Sequence, residues 1–303
     1  LEQVMIVPRS RPQLSDVSGH YDELDRVYRE IWGEHVHHGY WRSGDEATRE
    51  ASNALVDLVA ERLAPEAGHR LCDIGCGYGA TAQRLASSFG VDVTGLTISR
   101  RQYARAAQRT GSVRFILRDW LRNNLTERSF DGAYAIESTE HMPDKQRCFD
   151  EAFRVIRPGG RLVVCAWLAS GSAHKWEVRH LLEPICREGH LPGMGTQEEY
   201  EQFGRRAGFG LISFEDLSDQ VRRTWDICLM RLLKRLATDR SYRHLVASSE
   251  TRNRSFALSL PRLMLAYRTG AMRYGLFTFA RPGYEHAVRG PSEAVAHKEL
   301  PCD

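Results

Sequence analysis

Asp73, Gly75, Gly77 and Gly79 stand at alternate positions, the acid inside the short, mostly apolar run Leu71 to Ile74 and the glycines behind it, and a small-residue stretch, Ala80-Thr81-Ala82, follows them. Glycines at this spacing let a backbone turn sharply and approach a ligand closely, because no Cβ intervenes. Between a first strand and the helix after it, such a loop lies where nucleotide-like ligands bind. The dinucleotide fingerprint places its glycines at about positions 1, 3 and 6. Here they fall at alternate residues with an acid two places earlier, which makes a nicotinamide-dependent oxidoreductase the weaker alternative. A second concentration of chemistry is His35, His37 and His38. No Cys/His set at ligand spacing follows, so no metal site is expected. A cap that packs imidazole and aromatic rings over a small-molecule site fits the stretch better.

The elements that position these residues follow from periodicity. A helical face runs from about Glu46 to Leu63, with Asp45 as its expected cap. Strands are expected at Arg70–Ile74, Val91–Leu96, Val113–Leu117, Phe130–Glu137 and Arg161–Trp167, with helices between them. Five such alternations predict an α/β fold with a doubly wound, mostly parallel sheet. Helices at 174–190 and 197–207, a strand at 211–217, a helical insertion at 224–268 and a last strand at 272–280 complete seven strands and a helical lid. The expected organisation is a flexible segment, 1–18, then a domain over 19–288. That domain divides into a cap (19–45), a ligand-binding core (46–170), acceptor-side helices (171–270) and a last strand (271–282). A disordered tail is expected at 289–303.

Composition excludes several classes. The chain has 303 residues, 42 basic and 39 acidic, with a net charge of +3. That balance gives no electrostatic footprint for nucleic acid. Seven cysteines, an odd number lying mostly in apolar segments, read as reduced thiols. No apolar run reaches membrane-spanning length and no signal peptide is legible, so a cytoplasmic protein without integral membrane association is expected.

Asp73-x-Gly75-x-Gly77-x-Gly79, Arg118-Asp119-Trp120, Glu137-x-x-Glu140-His141-Met142 and Arg157-Pro158-Gly159-Gly160 resemble, in order and interval, the motifs of class I S-adenosylmethionine-dependent methyltransferases. Trp32 to Tyr40, Gly95 to Ser99, Glu137 to Lys145 and Ala266 to Gly275 are similar to the γ-tocopherol methyltransferase group. That group includes natural-product sugar O-methyltransferases and borders the sterol C-methyltransferases. The resemblance covers about residues 19 to 282.

It implies S-adenosylmethionine as cofactor and S-adenosylhomocysteine as product. Gly75, Gly77 and Gly79 would pass close to the methionine part, and Asp73 would hold its ammonium. Thr97, Ile98 and Gln102 would take the place of the usual ribose-binding acid. Asp119 would accept from the adenine amino group beside Trp120, and Glu137 would face the sulfonium. His141 is the expected base, since imidazole titrates near neutrality. Glu140 would be a second base or would orient the ring. Tyr21 is expected at the catalytic centre, and His37, His38, Tyr40 and Trp167 at the lid and acceptor. Trp167 tilts the expected acceptor toward a flat, apolar or phenolic molecule, among phenolic, prenylated or glycosylated natural products methylated on carbon or oxygen. A non-catalytic cofactor-binding protein is the remaining alternative. A monomer or homodimer is expected.

Overall fold

The computed structural model describes residues 5–248 and 256–283. Its strands are β1 (Arg70–Ile74), β2 (Asp92–Thr97), β3 (Val113–Leu117), β4 (Phe130–Ile136), β5 (Ile156–Ala169), β6 (Gly210–Asp216) and β7 (Met272–Ala280). They form one seven-stranded sheet in the order β3-β2-β1-β4-β5-β7-β6. The first five are parallel, while β7 runs antiparallel to both β5 and β6, so the sheet is mixed.

Parallel neighbours need long crossovers, and the helices in those crossovers cover both faces. Side chains therefore alternate between two cores. Leu71, Val93, Tyr134 and Val163 pack on one side with the helix Thr48–Leu63; Cys72, Ile74, Ala133 and Val164 pack on the other with the helix Lys145–Val155. The chain reverses direction about β1, which lies between β2 and β4. Ligands of open α/β sheets bind outside the carboxyl ends of the strands at such a switch point. The glycine loop, Asp119 and Glu137 follow those ends, and Thr97 is the last residue of β2.

Three expectations change. Residues 1–18 are not loose throughout: a helix spans Leu14–Glu23, and Ile6 bridges Met194. Asp45 does not cap its helix. Glu46 accepts the N–H groups of Arg42, Ser43 and Gly44, and the helix starts at Thr48, where Glu50 accepts from Ala47 N–H. The stretch 174–190 is not one α-helix but Lys175–Glu177, a π-helical turn Val178–Leu182, and Glu183–Glu188. Pro184 carries no N–H for an α-type bond, which accounts for the widened turn before it. The insertion comprises Arg223–Thr238, Arg240–Ala247 and Phe256–Thr269. The expected tail, 289–303, lies outside the described residues. Among the described residues no helix is long and apolar enough to cross a membrane, and the six described cysteines are free and buried.

Candidate active site

Three cavities meet at the carboxyl end of the sheet. The first, about 750 Å³ including its mouth, is bounded by Gly75, Gly77, Thr97, Ile98, Gln102, Asp119, Trp120 and the N-terminal helix through Leu14, Val17 and Tyr21. The smallest, about 350 Å³, lies between the cap and the glycine loop, with Asp73, His35 and His37 on its walls. The third, about 570 Å³, is largely aromatic and draws on Tyr28, Trp32, Trp167 and Trp225. The first and third share Tyr21, Val36, Glu137 and His141. A ligand in one therefore faces a ligand in the other across this wall.

The glycines divide their work. Gly77 has φ +53°, and a Cβ there would meet nothing within 4 Å, so its bare face is open toward a ligand. Gly75 is crowded by Ser138, whose hydroxyl donates to Ile74 O. Gly79 lines none of these three cavities: a Cβ on it would lie 2.5 Å from the Phe115 ring. Its expected place beside the cofactor is thus replaced by packing against β3 at the start of the helix Ala80–Phe89.

The first and smallest cavities suit the expected cofactor. Asp73 is buried, and its Oδ2 has no hydrogen-bond partner among the described residues. Burial raises its carboxyl to about 7, with the Tyr134 hydroxyl pulling the other way. A bound ammonium would relieve the cost of an unpaired buried carboxylate. Thr97 donates its hydroxyl to Gln102 Oε1 at 2.8 Å, and Ser99 Oγ caps the helix below, so both polar groups are fixed at the cavity wall. Asp119 Oδ1 accepts from Leu121 N–H. The Trp120 indole donates to Cys148 O at 3.1 Å, which anchors its ring. The N-terminal helix is fastened over this cavity by Asp22, which accepts from Ser99 Oγ (2.5 Å) and Arg101 N–H (3.1 Å).

Glu137 is the structural hub. It is a non-glycine residue at φ +53°, and its carboxylate accepts from His38 N–H (2.7 Å), Tyr274 Oη (2.9 Å) and Trp167 Nε1 (3.0 Å). His38 Nδ1 lies 2.9 Å from the same group. Burial alone would raise its pKa, but the charge and hydrogen bonds of His38 outweigh that and hold it at about 2. One ionised carboxylate thus ties the cap to β5 and β7 at the wall between the cavities.

His141 sits in a 3₁₀ turn after β4. Its Nε2 lies 2.8 Å from the Tyr21 hydroxyl and its Nδ1 3.5 Å from His190 O. A carbonyl can only accept, so the proton is assigned to Nδ1, which leaves Nε2 as acceptor of the Tyr21 O–H. Burial, opposed by the hydrogen bond to His190 O and reinforced by the Lys145 charge, pushes the imidazole down to about 4. Burial likewise pushes the Tyr21 phenol well above its ordinary range. Glu140 lines the aromatic cavity, but its oxygens accept from Trp167 N–H (2.6 Å) and the Thr139 hydroxyl (3.3 Å). The ring of His141 is therefore oriented by Tyr21 and His190, not by Glu140. Burial raises the Glu140 carboxyl, and the buried Lys145 ammonium beside it is held by the Thr139, Glu140 and Met142 carbonyls.

The histidine cluster separates. His35 and His37 lie with tilted rings, centroids 4.9 Å apart, and each approaches the Thr81 hydroxyl at 3.4 Å, while His38 turns to Glu137. Among the described residues no group of His, Cys, Asp and Glu could hold a metal. Tyr40 is corrected as a lid residue: it lines none of the three cavities, and its ring lies under the Arg42 guanidinium instead. Trp167 does line the aromatic cavity. Trp32, the first residue of the cap stretch that carries the resemblance, also lines it, and so do Tyr28, Ile185, Trp225 and Leu263, which were not singled out from the sequence and come from four separate helices.

The family model for mycolic acid cyclopropane synthetase matches residues 8–270. The 27-O-demethylrifamycin SV methyltransferase of Amycolatopsis mediterranei is 35% identical over 223 residues, covering 71% of this chain and 81% of that protein. The chloroplastic tocopherol O-methyltransferase of Arabidopsis thaliana is 27% identical over 288 residues, covering 86% and 80% respectively. A cyclopropane synthase from Mycobacterium tuberculosis superposes with a TM-score of 0.76 at 25% identity, over 90% of this chain and 99% of that one. With its strand-end cavity and glycine loop, the chain belongs to the mycolic acid cyclopropane synthetase family and is an S-adenosylmethionine-dependent methyltransferase.

Proposed function

We propose that the protein methylates a hydroxyl oxygen of a small, planar, largely apolar acceptor of the phenolic natural-product kind, seated in the aromatic cavity. The wall of Tyr21, Glu137 and His141 shared by the two larger cavities carries this reading. The named activities of the two curated relatives, both O-methyl transfers, favour oxygen over carbon. Asp73 would hold the cofactor's ammonium, Thr97 and Gln102 its ribose, and Asp119 with Trp120 its adenine.

When bound, the cofactor supplies an activated methyl group as a sulfonium. The chain's own work is alignment and proton handling. An acceptor hydroxyl donating to the Tyr21 oxygen can pass its proton along the pair: Tyr21 gives its own proton to His141 Nε2 and takes the acceptor's. Because burial holds His141 near 4, the imidazole is neutral at pH 7 and too weak a base to ionise the acceptor beforehand. Proton removal then accompanies methyl transfer. Glu137, fully engaged by its donors, keeps a fixed negative charge at the wall.

The test is calorimetric titration with S-adenosylhomocysteine and NADH, followed by incubation of phenolic acceptors with deuteromethyl-labelled S-adenosylmethionine. Micromolar binding of the first ligand alone, and a labelled methyl ether by mass spectrometry, is expected. A labelled carbon-methyl product, or tighter binding of NADH, would overturn the reading.

A further inference from the structure

The first cavity and the smallest share Val36, Gly75, Gly77 and Ile136, so one ligand can extend from the one into the other. Asp73, on the wall of the smallest, accounts for the ammonium of an amino-acid end. The carboxylate beside that ammonium still needs donors. On the walls of the same cavity stand His35, His37 and Thr81, to which the site described above gives no task. His37, expected with the acceptor, lines neither of the larger cavities. Its Nδ1 lies 2.7 Å from His38 O, which can only accept, so the proton is assigned to Nδ1. Its Nε2 is then an acceptor and meets the Thr81 hydroxyl at 3.4 Å; His35 Nδ1 meets the same hydroxyl at 3.4 Å. Both contacts are long, so the hydroxyl is loosely held.

Thr81 is also the second residue of the helix Ala80–Phe89, whose first turn favours a negative charge. The two imidazoles are not equal. Burial lowers His37, while the Glu137 carboxylate and the bond to His38 O pull it up and the His38 imidazole pushes it down. Burial takes His35 to about 3, reinforced by His37, Arg109 and Arg84 and opposed by a hydrogen bond with Asn53. The cavity's other titratable groups are Asp73, the exposed Glu34, and the Cys76 thiol and Tyr78 phenol, both kept protonated by burial. Of the pair, His37 is therefore the one that can take a proton. Resting on the placement of the cofactor's ammonium at Asp73, we propose that His37 and Thr81 bind the cofactor's carboxylate, and that His37 takes up a proton on Nε2 as it does so. Nε2 then becomes a donor, and the Thr81 hydroxyl, released from it, turns to the same carboxylate. The neutral His35 ring braces His37 from 4.9 Å. A site built to hydrogen-bond a ligand group rejects the analogue that lacks it.

The experiment compares S-adenosylhomocysteine with its decarboxylated analogue, which keeps the ammonium, and with methylthioadenosine, which lacks both charges. Calorimetry on the wild type, His37→Gln and His37→Leu, in two buffers of different ionisation enthalpy, gives affinities and protons exchanged. The wild type is expected to bind S-adenosylhomocysteine about tenfold to a hundredfold more tightly than the decarboxylated analogue. It should also take up about one proton more in doing so, a difference in which any proton released by Asp73 to either ligand cancels. His37→Gln should keep part of the preference through its side-chain N–H but lose the extra proton, and His37→Leu should lose both. In the wild type at neutral pH the His37 ring nitrogens, read by NMR, should change from the neutral tautomer to imidazolium with S-adenosylhomocysteine and not with the decarboxylated analogue. This second readout holds even where the variants fail to fold. No preference in the wild type, a preference undiminished in His37→Leu, or an imidazole that stays neutral would overturn the role of His37 and leave that of Asp73 standing. Methylthioadenosine bound as tightly as S-adenosylhomocysteine would sink the placement of the amino-acid end and this proposal together.

Discussion

The cofactor side and the acceptor side of the cleft are built by different means. The first follows consecutive strand ends, residues 73–79, 97–102, 119–120 and 137, where the sheet dictates the positions. The second takes Tyr21 and Trp32 from the N-terminal cap, Trp167 from β5, Ile185 from a short helix, and Trp225 and Leu263 from two insertion helices. Its surface is side-chain surface, contributed by segments more than two hundred residues apart in the sequence. Strand-end positions are tied to the register of the sheet, whereas a wall assembled from cap and insertion side chains can be altered without disturbing it. A cleft of this design keeps its cofactor while its acceptor changes. The shared wall, Tyr21, Glu137 and His141, is where the two constructions depend on each other.

The largest expected effect breaks the wall on the acceptor's side. His141→Ala should lower kcat by about 10²–10⁴-fold, the usual range for a lost acid–base group, with the affinity for S-adenosylhomocysteine changed much less. In the wild type the acid limb of the kcat profile should lie near pH 4, where His141 protonates, not near the ordinary histidine value. A limb near 6.5, or a drop in affinity as large as the drop in kcat, would contradict the separation of roles.

Glu137 comes next. Its folded pKa of about 2 is below the ordinary carboxylate value of 4.5. Its contribution to stability, on the order of 3 kcal/mol, is therefore fully present above about pH 5 and lost as pH falls toward 2. Thermal melts should show the wild type losing its advantage over Glu137→Gln across that window. Parallel curves for the two proteins would refute the hub.

The smallest effects sharpen the comparison inside the glycine loop itself. Both glycines have positive φ, so alanine carries about 1 kcal/mol of strain at either. At Gly77 the new Cβ enters open cavity, and the expected result is weaker S-adenosylhomocysteine binding by about tenfold with little further loss of stability. At Gly79 it meets Phe115, and the expected result is a larger fall in Tm with near-normal affinity in the folded fraction. The reverse pattern would exchange their roles.

Much of the cofactor side was legible in the sequence because its constraints are local. A left-handed backbone at residues 75, 77 and 79 demands glycine, a strand ending before an acid places that acid at the cleft, and period-two apolar runs mark buried strands. What resisted reading depended on distant partners. The work of Gly79 depends on Phe115, thirty-six positions away in sequence. Asp45 lies outside the helix start, because Glu46 reaches back to fold the loop at residues 42–44 and Glu50 accepts from Ala47 N–H at the cap. Tyr40 lies beside the histidines in sequence, yet Arg42 and the helix Thr48–Leu63 hold it off the cavity. Trp225 sits on a helix whose apolar face gave no sign of which residue would line the aromatic cavity, since that is fixed only once Trp32, His38 and Trp167 surround it.

The most direct test of two adjoining cavities is a crystal structure of the ternary complex with S-adenosylhomocysteine and a phenolic acceptor. The account predicts the homocysteine end beside Asp73 and Gly77, the sulfur at the Glu137 wall, and the acceptor hydroxyl within hydrogen-bonding reach of Tyr21. Homocysteine bound elsewhere, or an acceptor whose hydroxyl points away from Tyr21 and His141, would contradict it.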